Sequence, residues 1–549
     1  MTLQGQGQRQ AQSQARARLA AVPAPPQRGW WERREVLALL IALTAVPLLW
    51  PAIPPLTDVM GHMGTFRIEL AAPGSPLHQW YRFDWRPVGN LGFDLLIRPL
   101  APLFGLERAV KLLVIAVPVL TVAGMLLLAR EVHGRVPATA LFALPFAWAW
   151  PVQFGFMNFA LAMALALIGF ALWLRMERLG LHRRRTLLFA AAAPALWLVH
   201  SFGWATLGLF AVAAEVSRVR RARLAPHAAL LSLATTLLPL ASPVLLMVLF
   251  GHGTGPAAAF GYRPWWFKIG YLLFALRADA VGLDLVSVVT VVALAIAGLV
   301  WRRLHYLAPL GLAAALLGLA YLALPFEVMN GTWVDMRMAP YALAMAMLAL
   351  SPDRLDFRGR ELLALAGLAL FVTRIGVSTV ALARIDATYT RQLAALDHLP
   401  RGARVFALVD LDCFSHWEGT RMDHLGAMAI VRREAFVNGQ WSLPGVHPLR
   451  IRFPAGDRFT GDGTQVIRPG ACERIDRSHY PQVLSLLPRD AFEYLWLIDF
   501  PPDRLPRLPW LRQVWAGQRG ALYRIQPSPR AAAPLAPAGP GGVDARRPA

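Results

Sequence analysis

Residues 175–223 read RMERLGLHRRRTLLFAAAAPALWLVHSFGWATLGLFAVAAEVSRVRRAR, two arginine-rich clusters on either side of an almost uncharged run. A helix crosses about 30 Å of hydrocarbon in roughly 20 residues, and arginine accumulates on the cytoplasmic side of a membrane. One span between the clusters would put them on opposite faces. Two short spans turning near His200 keep both on one face, and this second arrangement agrees with the rest of the chain.

Outward from this stretch the pattern repeats. Apolar segments of spanning length fall near 36–53, 108–129, 136–152, 156–174, 186–200, 202–217, 227–250, 281–301, 306–324, 337–351 and 361–383. Clusters at Arg130/Arg135, 175–185, 218–223, Arg302/Arg303 and 354–360 follow the second, fourth, sixth, eighth and tenth of them, so all five share a side. Arg28, Arg33 and Arg34 precede the first segment, which is longer than a signal-peptide core and has no small-residue cleavage site, and this places the N-terminus inside. The expected architecture is a polytopic α-helical membrane protein of about 11 transmembrane helices, N-terminus in and C-terminus out, with a small C-terminal α/β extracytoplasmic domain. In domain terms this gives a disordered cytoplasmic tail at 1–28, a transmembrane domain at 29–384 with a long external loop at 54–107, the α/β domain at 385–525 and a disordered tail at 526–549.

Composition supports the membrane assignment. Of 549 residues, 56% are hydrophobic and 16% charged, with a mean hydropathy of +0.44, too apolar for a soluble chain of this length. The formal charge of +22 is explained by arginines beside the ends of apolar runs, where they meet anionic lipid. Nucleic acid is excluded as a partner, because no basic, aromatic-interleaved soluble domain is present. After residue 384 the composition becomes globular, with strand-like runs at 404–409, 494–499 and 521–525 and a helix near 423–433. Cys413 and Cys472, the two cysteines of the chain, fall in this external part, where oxidation is permitted; they pair as a disulfide or stay as unpaired core residues.

The chemistry-bearing residues gather at the external boundary. The first loop opens PPLTDVMGHMGTFRIEL (54–70), with Asp58 and His62 at i, i+4 spacing if helical, then Arg67 and Glu69. A carboxylate here can take a proton from an attacking hydroxyl or hold a divalent cation, magnesium or manganese, through its oxygens. Equally, an Asp at this place is an ordinary helix N-cap. Further on, HQWYRFDWRPVGNLGFDLLIRP (78–99) supplies Asp84, Asn90 and Asp94 among interfacial aromatics, and 90–104 has the character of an amphipathic surface helix. GYRPWWFKIGY (261–271) sets Arg263 beside Trp265, Trp266 and Lys268; Arg forks match phosphate oxygens, and an aromatic belt with snorkelling cations is the bland alternative. FEVMNGTWVDMRMAP (326–340) brings Glu327, Asn330, Asp335 and Arg337, of which the last two can pair at a helix start. Gln153, Asn158, His200 and Ser201 mark external turns, where polar side chains line a cavity or an interhelical contact. Arg374 sits mid-span and needs a partner the sequence does not name.

This order of features resembles the GT-C class of integral-membrane glycosyltransferases. The likeness lies in a long first external loop with an acid just after the first span (LTD, Asp58), many spans, later loops bearing Arg and Trp, and an external C-terminal domain; the chain is also similar to a group of bacterial membrane proteins with a Pro, Thr, Asp and then His start to that loop, a Phe/Gly/Asn hairpin (QFGFMNFALA here) and an RMAP-like start of a late span. The chain differs from better-known members in having no second acid adjacent to Asp58. The resemblance implies an enzyme of the bacterial cytoplasmic (inner) membrane with its C-terminal domain in the periplasm. It would take a polyprenyl-phosphate sugar lipid and pass the sugar to a glycan, lipid or protein acceptor. Asp58 would be the general base and Arg263 and Arg337 the phosphate ligands, with His62, Arg67, Asp84, Asn158, His200, Trp266 and Asp335 as further substrate contacts. The alternatives are a transporter or flippase of lipid-linked glycans, against which the absence of an internal repeat speaks, and a non-catalytic assembly protein.

Overall fold

The computed structural model describes residues 28–250, 260–328, 331–410, 421–442, 447–460, 466–467 and 480–528. Cys413, Cys472, Asn330 and nearly all of both expected tails lie outside the described residues. The described chain divides into two compact units. One comprises residues up to 51, 87–95 and 111–383; the other comprises 52–86, 96–110 and everything from 384 onward.

Among the described residues six helices are long and apolar enough to cross a membrane by length and composition: Leu106–His133, Met157–Arg178, Ser201–Ala222, Pro226–Phe250, Val281–Val300 and Phe357–His398. The chain is an integral membrane protein. Within the first unit, Met157–Arg178 is the most buried of them, while Pro226–Phe250 presents Leu230, Leu231, Leu245 and Val248 outward, an apolar surface suited to lipid. The break expected near His200 is present. His200 is extended (φ −168°, ψ 132°) between helices His182–Val199 and Ser201–Ala222, and its Nδ1 accepts the Phe202 N–H at 3.1 Å as the second helix begins.

Two other expected spans take a different form. Segment 136–152 is not one helix but two 3₁₀ segments, Ala138–Phe142 and Leu144–Trp148, leading into the short helix Trp150–Phe154. Pro137, Pro145 and Pro151 each lack an N–H, which stops an α-helix from running through. Every residue of 136–152 is buried, the condition under which irregular backbone is tolerated at membrane depth. The first segment, 36–53, holds only the helix Arg34–Leu43 and then a 3₁₀ turn at Val46–Leu48, where Pro47 intervenes. Helices Ala308–Ala323 and Ala339–Ala349 are also shorter than a full span.

The second unit is built on a six-stranded mixed sheet. Arg404–Asp410 is its central strand, parallel to Tyr494–Ile498, Phe436–Val437 and Val466–Ile467; Gly520–Ile525 and Leu511–Ala516 complete one side antiparallel. Residues 405–409 are buried without interruption, as a strand covered on both faces requires. The sequence reading grouped loop 54–107 with the transmembrane domain. In the structure most of it folds with the C-terminal residues instead. Tyr81–Phe83 pairs antiparallel with Leu449–Ile451, and the Tyr81 hydroxyl donates to Val437 O (3.2 Å) while accepting from Val437 N–H (3.0 Å). Contacts between residues more than 350 positions apart leave no periodic trace in a sequence, which is why the grouping was hidden.

Candidate functional site

In the second unit the site forms around the helix Val59–Glu69, one turn of which links Asp58 to His62 through the His62 N–H to Asp58 O bond of 3.0 Å. Asp58 holds the N-cap position, yet its side chain makes no cap hydrogen bond. The carboxylate points to His424, with Oδ1 3.7 Å from Nε2, and both side chains are buried. Asp423 lies 4.0 Å from the same imidazole nitrogen. Trp441 packs between two histidines, its ring centroid 4.2 Å from His424 and 5.1 Å from His62, and His447 stands edge-on to His62 at 6.4 Å. Burial, reinforced by the neighbouring imidazoles, lowers His62 to about 3; burial alone lowers His447 to about 4. Both rings are therefore neutral near pH 7.

Glycine makes this closeness feasible. A Cβ at position 61 would stand 2.5 Å from the Trp441 ring, and one at position 64 would stand 2.7 Å from the Gln440 amide oxygen. Gln440 in turn donates its amide to Gly61 O (3.1 Å) and Thr65 Oγ1 (2.7 Å), fixing the helix against residues 424–441.

Two predicted site residues of this unit are engaged elsewhere. Arg67 pairs with Glu434, which also accepts from Ser75 Oγ (2.7 Å) and Arg401 (2.8 Å), a network that ties the loop to the domain. Asp84 pairs with Arg82 and with Arg450 (3.1 Å) beside the two-stranded sheet.

In the first unit the predicted residues converge on a run of aromatic rings. The Arg263 guanidinium lies 3.8 Å over Phe326 and 5.1 Å over Trp333, while Arg337 lies 3.8 Å over Phe156 and 5.7 Å over Phe159. Phe326, Trp333, Phe154 and Phe156 contact one another in that order, at centroid distances of 4.9, 6.4 and 4.6 Å, and so connect the two cations. Trp333 reaches this place through a left-handed backbone (φ 61°), a conformation costly for an indole-bearing residue. Arg337 Nη2 also donates to Thr332 O at 3.0 Å.

His200 meets the same run, edge-on to Phe159 at 5.5 Å. Asn158 has a structural use: its Oδ1 accepts the Phe93 N–H (2.6 Å) and its amide donates to Asn90 O (2.9 Å), which anchors the start of helix Gly92–Phe104. In that helix Asp94 is buried, and burial pushes its carboxyl up to about 6. Asp335 pairs with Lys268 at 2.8 Å, where the sequence suggested Arg337. Trp266 is 58% exposed and stays apart from the ring run, as a belt residue would.

His424, Trp441 and His447 escaped sequence reasoning. The signal that could have found them is the Gly61/Gly64 pair, since two glycines one turn apart in a helix announce a close neighbour. Among the described residues no group of three or more His, Cys, Asp or Glu gathers as a metal-ligand set.

No family model matches the chain, and no curated protein matches it. The chain is similar to solved structures, among them two of one protein. The crystal structure of ArnT from Cupriavidus metallidurans in the apo state aligns over 89% of this chain and 96% of its own, at 14% identity and a TM-score of 0.48. The crystal structure of the same protein bound to undecaprenyl phosphate aligns over 89% and 97%, at 13% identity and a TM-score of 0.46.

Proposed function

We propose that the chain is a membrane glycosyltransferase that transfers a sugar from a polyprenyl-phosphate donor to an extracytoplasmic glycan, lipid or protein acceptor, with Asp58 as general base. The observation that carries the reading is the Asp58 side chain, which sits at a helix N-cap but is not spent on capping and faces a buried imidazole. In the reaction an acceptor hydroxyl attacks the anomeric carbon, the bond from that carbon to the phosphate oxygen breaks, and polyprenyl phosphate leaves with the bonding pair. Asp58 takes the hydroxyl proton. Phosphate leaves without a proton, so one carboxylate suffices, and the displacement inverts the anomeric centre through an oxocarbenium-like transition state. Arg263 and Arg337 supply charge-assisted donors to the phosphate in this scheme, and the rings beneath them keep both forks oriented.

Purified full-length protein incubated with a labelled polyprenyl-phosphate sugar tests the reading. Asp58→Asn should lower transfer by roughly 10²–10⁴-fold at an unchanged unfolding temperature. Arg263→Gln and Arg337→Gln should act mainly on the KM for the donor. Full transfer by Asp58→Asn would sink the assignment of the base.

A further inference from the structure

The second unit holds a cavity of about 920 Å³ whose wall is dominated by four arginines, Arg404, Arg489, Arg512 and Arg524, against two acids, Asp490 and Glu493. The acids are already engaged. Glu493 pairs with Arg404 at 3.4 Å and accepts the Arg404 N–H at 3.0 Å, and Asp490 Oδ1 accepts the Ser528 N–H at 3.0 Å. Arg489 lies 5.3 Å over the Trp510 ring.

Arg512 and Arg524 remain, and they are direct cross-strand partners in the antiparallel register of Leu511–Ala516 with Gly520–Ile525. Directly opposite residues project from the same face with Cβ atoms about 5 Å apart, and like charges placed so are destabilising. Among the described residues neither arginine has an ion-pair partner. Tyr494, the cross-strand partner of Arg524 on its other side, also lines the cavity. A sheet that sets two guanidinium groups against each other at the mouth of a polar cavity is arranged for an anion that neutralises both.

We infer that this cavity binds a phosphate monoester carried on a sugar, with Arg512 and Arg524 as the two forks that grip the phosphate oxygens. A tetrahedral dianion offers three terminal oxygens to converging forks, which is the pairing Arg favours. The volume far exceeds that of a bare phosphate, given that one water occupies about 30 Å³, and leaves room for the sugar against Tyr494 and Phe492. A phosphate monoester can also reach the cavity as a lipid headgroup, so the test separates the two sources. The site is independent of the transfer reaction proposed above, and its test does not measure transfer.

Full-length protein in detergent at low ionic strength is titrated calorimetrically with glucose 6-phosphate, glucose and dihexanoyl phosphatidic acid, in wild type and in the double variant Arg512→Gln/Arg524→Gln. Glucose 6-phosphate should bind at least tenfold tighter than glucose, and at least tenfold tighter to wild type than to the variant. The variant should unfold at the same temperature as wild type or higher, because a like-charge opposition has been removed, and inorganic phosphate should raise the unfolding temperature of wild type alone. Equal binding of glucose and its phosphate, equal binding by both proteins, or pair-dependent binding of phosphatidic acid without glucose 6-phosphate would each overturn the inference.

Discussion

Residue 61 shows how much a single missing side chain can decide. A Cβ there would stand 2.5 Å from the Trp441 ring, so only glycine lets Trp441 pack as it does, and Trp441 in turn walls both His62 and His424. The rings of His62 and His447 stay neutral because ionising them in this enclosed place would cost solvation. Their values of about 3 and about 4 lie below the ordinary 6.5, so between those limits the unfolded chain binds more protons than the folded one. Stability from this source is complete above about pH 6.5 and drains away as the pH falls, by about 2 kcal/mol per histidine at pH 5. Thermal unfolding of wild type measured from pH 7.5 to 5 should show this decline, and a His62→Gln/His447→Gln double variant should show a flatter one. An identical slope in both proteins would assign the acid sensitivity to other groups. At this scale the sequence was only partly legible. Asp58 and His62 are adjacent on one helix and could be paired by counting, whereas His424 and His447 come from across a chain fold that no local pattern encodes. Arg67 and Asp84 stood out for their charge, and charge alone does not distinguish a ligand from half of a structural ion pair.

Among the elements, the long helix Phe357–Leu393 poses the sharpest energetic question, because it carries Arg374 within its membrane-spanning part. The sequence flagged the cost without naming the remedy. The remedy is Asp284 in helix Val281–Val300, whose Oδ1 lies 2.9 Å from Arg374 Nη1. Ser287 Oγ (3.2 Å) and Leu276 O (2.6 Å) accept further guanidinium protons, while Asp284 Oδ2 accepts the Ala278 N–H at 2.8 Å. A charge so bound is a clamp between two helices and the 275–280 turn, and it does not have the open, waterward character of a transport relay. Arg374→Met should therefore cost about 3–5 kcal/mol by stranding a buried carboxylate, and adding Asp284→Leu should restore much of the loss. Unfolding of the purified variants in detergent gives both numbers. A single variant as stable as wild type would mean that the pair holds nothing together. Helices Met157–Arg178, Ser201–Ala222 and Val281–Val300 were readable from their unbroken apolar runs. Segment 136–152 has the same composition but three prolines, and composition counts a proline as merely non-polar while the backbone feels a missing donor.

At the scale of the whole chain, six long helices alone do not yield a consistent topology. Leu106–His133 and Met157–Arg178 both run from an uncharged or mixed start to an arginine-bearing end, with Arg130 and Arg135 at one and Arg175 and Arg178 at the other. For both ends to face the cytoplasm, the irregular segment 136–154 has to carry the chain back across. Ser201–Ala222 likewise ends in Arg220 and Arg221, so His182–Val199 has to cross between it and Met157–Arg178. Arg302 and Arg303 before Ala308–Ala323, and Arg354 to the far side of Ala339–Ala349, require the same of that short pair. Continued through Phe357–Leu393, this alternation is the basis on which we propose that the residues after 384 lie outside the cytoplasm. An alkaline phosphatase reporter, which folds only in an oxidising compartment, should accordingly be active when fused after residue 528 and inactive when inserted at residue 224, with a fluorescent cytoplasmic reporter giving the opposite pair. Activity at 224 together with silence at 528 would reverse the orientation, and with it the side on which a sugar acceptor could meet Asp58.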